Sequence, residues 1–403
     1  MEATKEQIRA KYEMARERLN GFHLRQIANS AGPVVLISTT YPGVWLEHAF
    51  DGLCYAKLFD EEPGAKQVAE NQMLLFIENQ LPDGHLPYKV LDKSVENENY
   101  ASQNVLGFKQ LQECVSFGTL CLETYRLTQN GEFLRKAYKA LQGWIRWQTQ
   151  NRMTLNRGLV ETFCVYDTGH DRSQRLYGVP NTCLDAEGKE YVADGVLPLI
   201  SPDVNAVFYG NMRALAEMAQ ILGEADIAAK ATTEAENMRQ RMFELLYDES
   251  DDFFYDVDRN LEKRRIKSIS ITNVFTEKVL DREQFESIYN KYFLTPEYFG
   301  TPYPFPSLSF DDALRLGHAP SNCWGYYSQA LTTLRAQRWM DSYGKTDDYN
   351  NMLEKWVNVY ASQEELLFTQ ELDPVTGVPT ACSSWYSSAM LTYIYAVKRL
   401  KLL

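Results

Sequence analysis

Apolar side chains recur at helical spacing along most of this chain. Over 202–222, Val204, Val207, Phe208, Met212, Leu215 and Leu222 fall on one face, Pro202 suits a first helical turn, and Gly223 marks a break. That pattern predicts a helix there and a partner over 225–246. The same reading predicts a long charged amphipathic helix over 4–31, another over 63–80 with Val68, Met73, Leu74, Phe76 and Ile77 inward, and a hairpin over 108–127 and 131–150. Closing helices are predicted near 325–339, 346–363 and 384–401. Only short strand-like pieces interrupt the pattern, at 32–38 and 252–257.

Ten or more helices in hairpins, joined alternately by short turns and long loops, fit a closed ring. The fold expected is therefore all-α, an (α/α)6 toroid of six helical hairpins forming a single domain over 1–403. An open helical solenoid would show a repeated sequence period, and none is present. The long loops 81–106, 155–201, 296–323 and 370–384 should gather at one end of the ring, where a rigid scaffold usually carries function.

Composition narrows the class of partner. A formal net charge of -13 argues against nucleic acid or an anionic membrane, since both require a basic surface. No apolar run approaches the roughly 18 residues a membrane helix needs, and the charged, helical start is unlike a signal peptide, so a soluble, cytoplasmic protein is expected. Aromatic residues make up 13% of the chain, with 25 Tyr and 7 Trp, which leans toward a carbohydrate ligand whose ring faces stack on them. The seven cysteines (Cys54, Cys114, Cys121, Cys164, Cys183, Cys323, Cys382) are scattered without a C-x-x-C pair and read as buried free thiols. The five histidines are isolated, which disfavours a metal site, and no cofactor-binding glycine loop is present.

Two lone carboxylates on separate turns suggest split acid/base chemistry. One lies in Tyr166-Asp167-Thr168-Gly169-His170-Asp171-Arg172-Ser173-Gln174-Arg175, the other in Thr369-Gln370-Glu371-Leu372-Asp373-Pro374. Hydrolysis of a glycosidic bond uses such a pair: an acid that protonates the leaving oxygen and a base that activates water or attacks the sugar. Both stretches are also ordinary turn and helix-stop sequences.

Several segments, in order, resemble the (α/α)6 glycosidases of the trehalase, processing α-glucosidase and mannosylglycerate hydrolase group. Thr168-Gly169-His170-Asp171-Arg172-Ser173-Gln174-Arg175 is similar to that group's Ser-Gly-Trp-Asp-x-Ser-x-Arg acid turn, and Pro202-Asp203-Val204-Asn205-Ala206 to its Pro-Asp-Leu-Asn-Ala helix start. The proline-rich run 300–307 followed by Cys323-Trp324-Gly325 resembles the loop before its Trp-Arg-Gly helix start. Glu371-Leu372-Asp373-Pro374-Val375-Thr376-Gly377 resembles its base turn. The resemblance implies an inverting α-glycosidase of small oligosaccharides or sugar conjugates, with Asp171 as general acid and Glu371 as general base, and no cofactor. Inversion would require the carboxyl groups to stand roughly 6.5–9.5 Å apart.

Asp167 is the rival acid. The segment holding Trp45, Glu47, His48 and Asp51 resembles a helix start that lines the sugar pocket in this group, and the turn holding His85 and Tyr88 resembles a pocket wall. Both also read as capping or turn chemistry. Asp203 and Asn205 could touch sugar hydroxyls or cap their helix; Arg175 could pair a carboxylate; Trp324, Tyr327 and Trp385 could stack on sugar or pack in the core. His170 stands where the group has Trp, and the Arg beside Trp324 is missing. A sugar epimerase, an unsaturated-uronide hydrolase or lyase, and a non-catalytic carbohydrate-binding protein remain open on the same fold.

Overall fold

In the computed structural model, which describes residues 3–183, 195–317 and 324–403, helices dominate. They are α1 (Lys5–Arg18), α2 (Ala49–Leu58), α3 (Ala65–Ile77), α4 (Phe117–Thr128), α5 (Gly131–Asn151), α6 (Pro202–Leu222), α7 (Ala225–Leu246), α8 (Ile271–Thr276), α9 (Arg282–Ile288), α10 (Phe310–Leu316), α11 (Ala330–Arg335), α12 (Thr346–Ser362) and α13 (Ser387–Leu400). Together they build an (α/α)6 toroid. The inner ring passes from α13 to α2, α4, α6 and α8, then through a tight turn over 336–338 to α11, and back to α13. Outside it, α3 packs on α2, α7 on α6, and α1 on α12 and α13.

Local chemistry explains where the elements start and stop. Thr4 and Gln7 form a capping box on α1, Ser116 accepts from Thr119 N to open α4, and Asn130 accepts from Glu132 N and Phe133 N to open α5. The helix predicted over 4–31 ends early. Leu19–His23 widens into a π turn, His23 Nδ1 lies 2.7 Å from Leu36 O, and Leu24–Arg25 pairs with Val34–Val35. The hairpin predicted from 108 begins at Phe117, because Leu106–Gly107 pairs as a strand with Lys89–Leu91. Of the segment predicted near 325–339, Ala330–Arg335 is α-helical and the strand Ser328–Gln329 precedes it.

Buried polar contacts close the ring. Asp51 on α2 accepts from Ser387 Oγ (2.5 Å) and Ser388 Oγ (3.0 Å) at the start of α13, joining the last inner helix to the first. Asn211 on α6 accepts from Gly118 N (2.8 Å) and Ser116 Oγ (3.0 Å) at the start of α4. One contiguous buried cluster runs from Ile8 to Val397. Among the described residues no helix is long and apolar enough to cross a membrane.

The loops are knitted by short antiparallel ladders. Gly43–Trp45 pairs with Lys89–Leu91, Ser328–Gln329 with Glu371–Leu372, and Glu161–Thr162 with Leu199–Ile200, which pairs in turn with Asp256–Val257. Cys54, Cys114, Cys121, Cys164 and Cys183 are buried free thiols and Cys382 is half-buried; Cys323 lies outside the described residues.

Glu113 is a buried carboxyl in this frame. Its Oε1 accepts from Trp144 Nε1 (2.9 Å) and Gln148 Nε2 (2.7 Å) of α5, and burial pushes its pKa up from 4.5 to about 8. The folded chain thus holds a proton that the unfolded chain releases, so this group's contribution to stability falls as pH rises from 4.5 to 8. Glu113→Gln keeps the acceptor and removes the titration. The unfolding midpoint of the variant relative to the parent should climb between pH 4.5 and 8 in a thermal melt series; parallel curves would contradict the assignment.

Candidate active site

The ladders and loops enclose a cavity of about 360 Å³. Asp171, Trp45, Glu47, His48, Tyr88 and Trp324 all line it. Tyr41, Tyr100, Tyr166 and Tyr386 add four phenols to the wall, and Lys89, Gln110, Gln112 and Gln370 add further polar groups. Such a mixture of aromatic faces and hydrogen-bonding heads suits a small polar ligand.

The turn that carries Asp171 is pinned at both ends by buried charge. Asp167, ahead of Asp171, accepts from Leu111 N (2.8 Å), Phe163 N (2.9 Å), Cys164 N (3.3 Å) and Arg152 Nη1 (3.0 Å). With its oxygens committed to these donors, buried Asp167 clamps the turn. Beyond Asp171, Arg175 reaches Asp203 Oδ2 at 2.5 Å and Asp256 Oδ1 at 2.9 Å, all three side chains buried. Between the clamps, Gly169 sits at φ +68°, and a Cβ there would stand 2.4 Å from both Cys114 Sγ and Glu47 Oε2. Only glycine allows the turn to lie this close to the cavity floor.

The phenols beside Asp171 are held in their neutral form. Burial first, and then the Asp171 carboxylate, push the Tyr100 phenol up and the Tyr166 phenol to about 12. Both phenols therefore remain neutral hydrogen-bond donors. On the floor, burial raises the Glu47 carboxyl and drives the His48 imidazole well below its usual value, with Arg335 adding to the latter. At the 3.4 Å approach of His48 Nδ1 to Glu47 Oε1, the imidazole is thus neutral. His48 Nε2 is bonded to Tyr386 OH.

Glu371 is buried beside the wall residue Gln370. Its Oε1 accepts from Gln329 Nε2 (2.9 Å) and its Oε2 from Thr380 Oγ1 (3.0 Å), while Gln329 Oε1 accepts from Gln370 Nε2 (3.3 Å). The Cys382 thiol feels both carboxylates: burial, then Glu371 and Asp171, push it up to about 12. The ladder that holds Glu371 opposite Gln329 and the turn that holds Asp171 therefore converge on one neighbourhood.

Other sequence-derived candidates stand off the cavity wall. His170 stacks on Trp324, with centroids 4.4 Å apart and planes at 19°, and its Nδ1 accepts from Arg175 Nη2 at 3.2 Å. Burial and the neighbouring arginines hold it neutral. It backs the wall tryptophan and lines a small adjoining void of about 20 Å³ with Cys114 and Arg335. Arg175 and Asp203 belong to the clamp. Asn205 bonds both backbone groups of Val160 (2.7 and 2.9 Å). Asp51 ties α2 to α13. His85 lies against Trp147 at 4.0 Å with Nδ1 2.6 Å from Leu86 O. Tyr327 packs on Tyr326 in a small cluster with Leu308 and Ala313. Trp385 packs on Phe368 beneath the Arg18 guanidinium. The unforeseen wall residues include Tyr41, Tyr100 and Tyr386, whose only trace in the sequence was the Tyr count of 25, together with Lys89, Gln103, Gln110 and Gln112.

Among the described residues, Cys164, Asp167 and Cys183 form the one group whose ligand atoms lie close enough to hold a metal. The Arg152–Asp167 ion pair opposes a cation there.

Residues 63–388 match the mannosylglycerate hydrolase MGH1-like glycoside hydrolase domain. Among solved structures, the GH63 mannosylglycerate hydrolase of Thermus thermophilus in complex with Tris and D-glycerate superposes with a TM-score of 0.72 at 16% identity, covering 96% of this chain and 99% of that one. The neutral trehalase of Saccharomyces cerevisiae gives 0.64 at 13% identity, covering 93% and 76%. An uncharacterized protein of Borreliella burgdorferi is 22% identical over 280 residues, 56% of this chain, and the match spans about half (54%) of that curated relative.

Removing Arg175 should leave Asp203 and Asp256 buried and unpaired, at a cost of about 3–5 kcal/mol. Arg175→Met is expected to unfold at a clearly lower denaturant concentration than the parent; an unchanged midpoint would contradict the clamp.

Proposed function

Because the chain belongs to the mannosylglycerate hydrolase MGH1-like glycoside hydrolase domain family, it is a glycoside hydrolase, and we propose that it cleaves small α-linked sugar conjugates with inversion, using Asp171 as general acid and Glu371 as general base. The observation that carries this reading is the placement of Asp171 on the wall of a sugar-sized cavity, with Glu371 held beside the same wall at Gln370.

The chemistry follows from these positions. A sugar ring stacks on the faces of Trp45 or Trp324, and neutral tyrosines donate to its hydroxyls. Asp171 gives its proton to the glycosidic oxygen as the bond from the anomeric carbon breaks. A water on the opposite face loses a proton to Glu371 while its oxygen bonds to that carbon, and the configuration inverts. Gln329 and Thr380, bonded to the two oxygens of Glu371, fix the direction in which the base can accept.

Lys89 supports a charged aglycone. Its side chain is buried at the cavity wall, 5.9, 5.4 and 5.3 Å from the ring centroids of Trp45, Tyr88 and Tyr100, and bonds to Gln103 Oε1. Burial lowers its pKa to about 8, and no ion pair among the described residues involves it. A substrate carboxylate would supply the missing counter-charge. A glycosyl-glycerate, the kind of compound that gives the Thermus relative its name, meets this requirement.

Asp171→Asn and Glu371→Gln should each lower kcat on α-mannosylglycerate or α-glucosylglycerate by on the order of 10²–10⁴ while the fold persists by circular dichroism. Parent-like turnover by either variant would overturn that residue's role. Lys89→Met should raise KM for the glycerate conjugate roughly 10-fold or more and leave KM for a neutral disaccharide nearly unchanged. Equal effects on both substrates would remove the charged aglycone from the account.

A further inference from the structure

Two cysteines close the base of the loop that carries Asp171. Val165 N donates to Pro180 O (2.8 Å) and Tyr166 N to Asn181 O (3.2 Å), so the two arms of the loop run side by side. This brings Cys164 and Cys183 together with their sulfur atoms 2.9 Å apart, both as free thiols. Between them in sequence lie Tyr166 and Asp171, and next to Cys183 lies Thr182; all three line the cavity.

The pair is suited to thiol chemistry more than to a metal. The third donor at the spot, Asp167, already accepts from three backbone N–H groups and from Arg152. Arg152 Nη2 also lies 3.7 Å from Cys183 Sγ, placing a fixed positive charge where a cation would need to sit. Access is one-sided: Cys164 is fully buried, whereas Cys183 is 7% exposed and follows exposed Asn181 and half-buried Thr182. A small uncharged oxidant can reach Cys183 first.

We propose that Cys164 and Cys183 are a peroxide-sensitive dithiol whose disulfide closes the Asp171 loop into a covalent ring. The Cys183 sulfur, as thiolate, attacks one oxygen of hydrogen peroxide; the O–O bond breaks, giving a sulfenic acid and, after proton transfer, one water. The Cys164 sulfur then attacks the Cys183 sulfur, the S–S bond forms, the S–O bond breaks, and a second water leaves. Two thiols are oxidised and one peroxide is reduced to two waters. A thiol reductant reverses the change. The ring ties together the two arms of the segment held by the Asp167 clamp. This chemistry stands apart from the hydrolytic role of Asp171, so its test does not need turnover.

The test uses the full-length parent. After treatment with hydrogen peroxide, free thiols are blocked and the protein is digested with trypsin. The peptide 158–172, holding Cys164, and the peptide 176–189, holding Cys183, should appear as one linked species that reductant separates. The unfolding temperature should rise by about 3 °C on oxidation and return on reduction. Cys183→Ser and Cys164→Ser should show neither response. Recovery of the two peptides singly, as blocked thiols or sulfinic acids, would overturn the proposal. So would stoichiometric zinc in the reduced parent that Cys183→Ser fails to retain.

Discussion

Holding one carboxylic acid at a cavity wall depends on the charges buried on either side of it. Asp167 with Arg152 fixes the approach to the turn, and Arg175 between Asp203 and Asp256 fixes its exit. These pairs are costly to desolvate and become strongly destabilising when one partner is lost, so they act as all-or-none constraints rather than as adjustable contacts. They also reach different parts of the fold. Arg152 follows α5, Asp203 opens α6, and Asp256 lies in the ladder beyond α7, so the turn is anchored to three elements of the ring.

Rigidity at the turn makes close packing possible. Gly169 presses against Cys114 and Glu47, His170 supports Trp324, and Trp324 N donates to Asp171 O. The substitution of His for the Trp usual in related acid turns therefore acts behind the wall: its neutral ring accepts from Arg175 on one edge and carries Trp324 on its face. The Ser328–Gln329 and Glu371–Leu372 ladder places Glu371 by pairing its strand with Gln329, whose side chain then holds the carboxylate. Asp171 and Glu371 are thus positioned by separate elements, a pinned turn and a two-stranded ladder.

Much of this arrangement was legible in the sequence, for identifiable reasons. Helices with a clear apolar stripe, such as α6 and α7, were delimited by Pro202, Gly223 and their periodicity. Helix α2 showed no period, because it is buried on nearly every side and has no polar face, and only the resemblance of the Trp45–Asp51 segment to a helix start pointed to it. The short α8 and α9 gave too few turns to register. At the site, the ordered motifs led to Asp171, Trp45, Glu47, His48, Tyr88 and Trp324, which share the cavity wall. The same motifs drew in Asp51, His85 and Asn205, because a motif marks a stretch of chain and cannot tell which side of it faces inward; Tyr327 and Trp385, offered as stacking platforms, pack in the core instead. Tyr41, Tyr100 and Tyr386 come from segments distant in sequence, and only the closed ring brings them together.

We propose that Asp171 and Glu371 act on opposite faces of one anomeric carbon. It is tested most directly by following hydrolysis of an α-linked glycosyl-glycerate by proton NMR before the released sugar equilibrates. The account predicts that the β-anomer appears first; initial release of the α-anomer would contradict it.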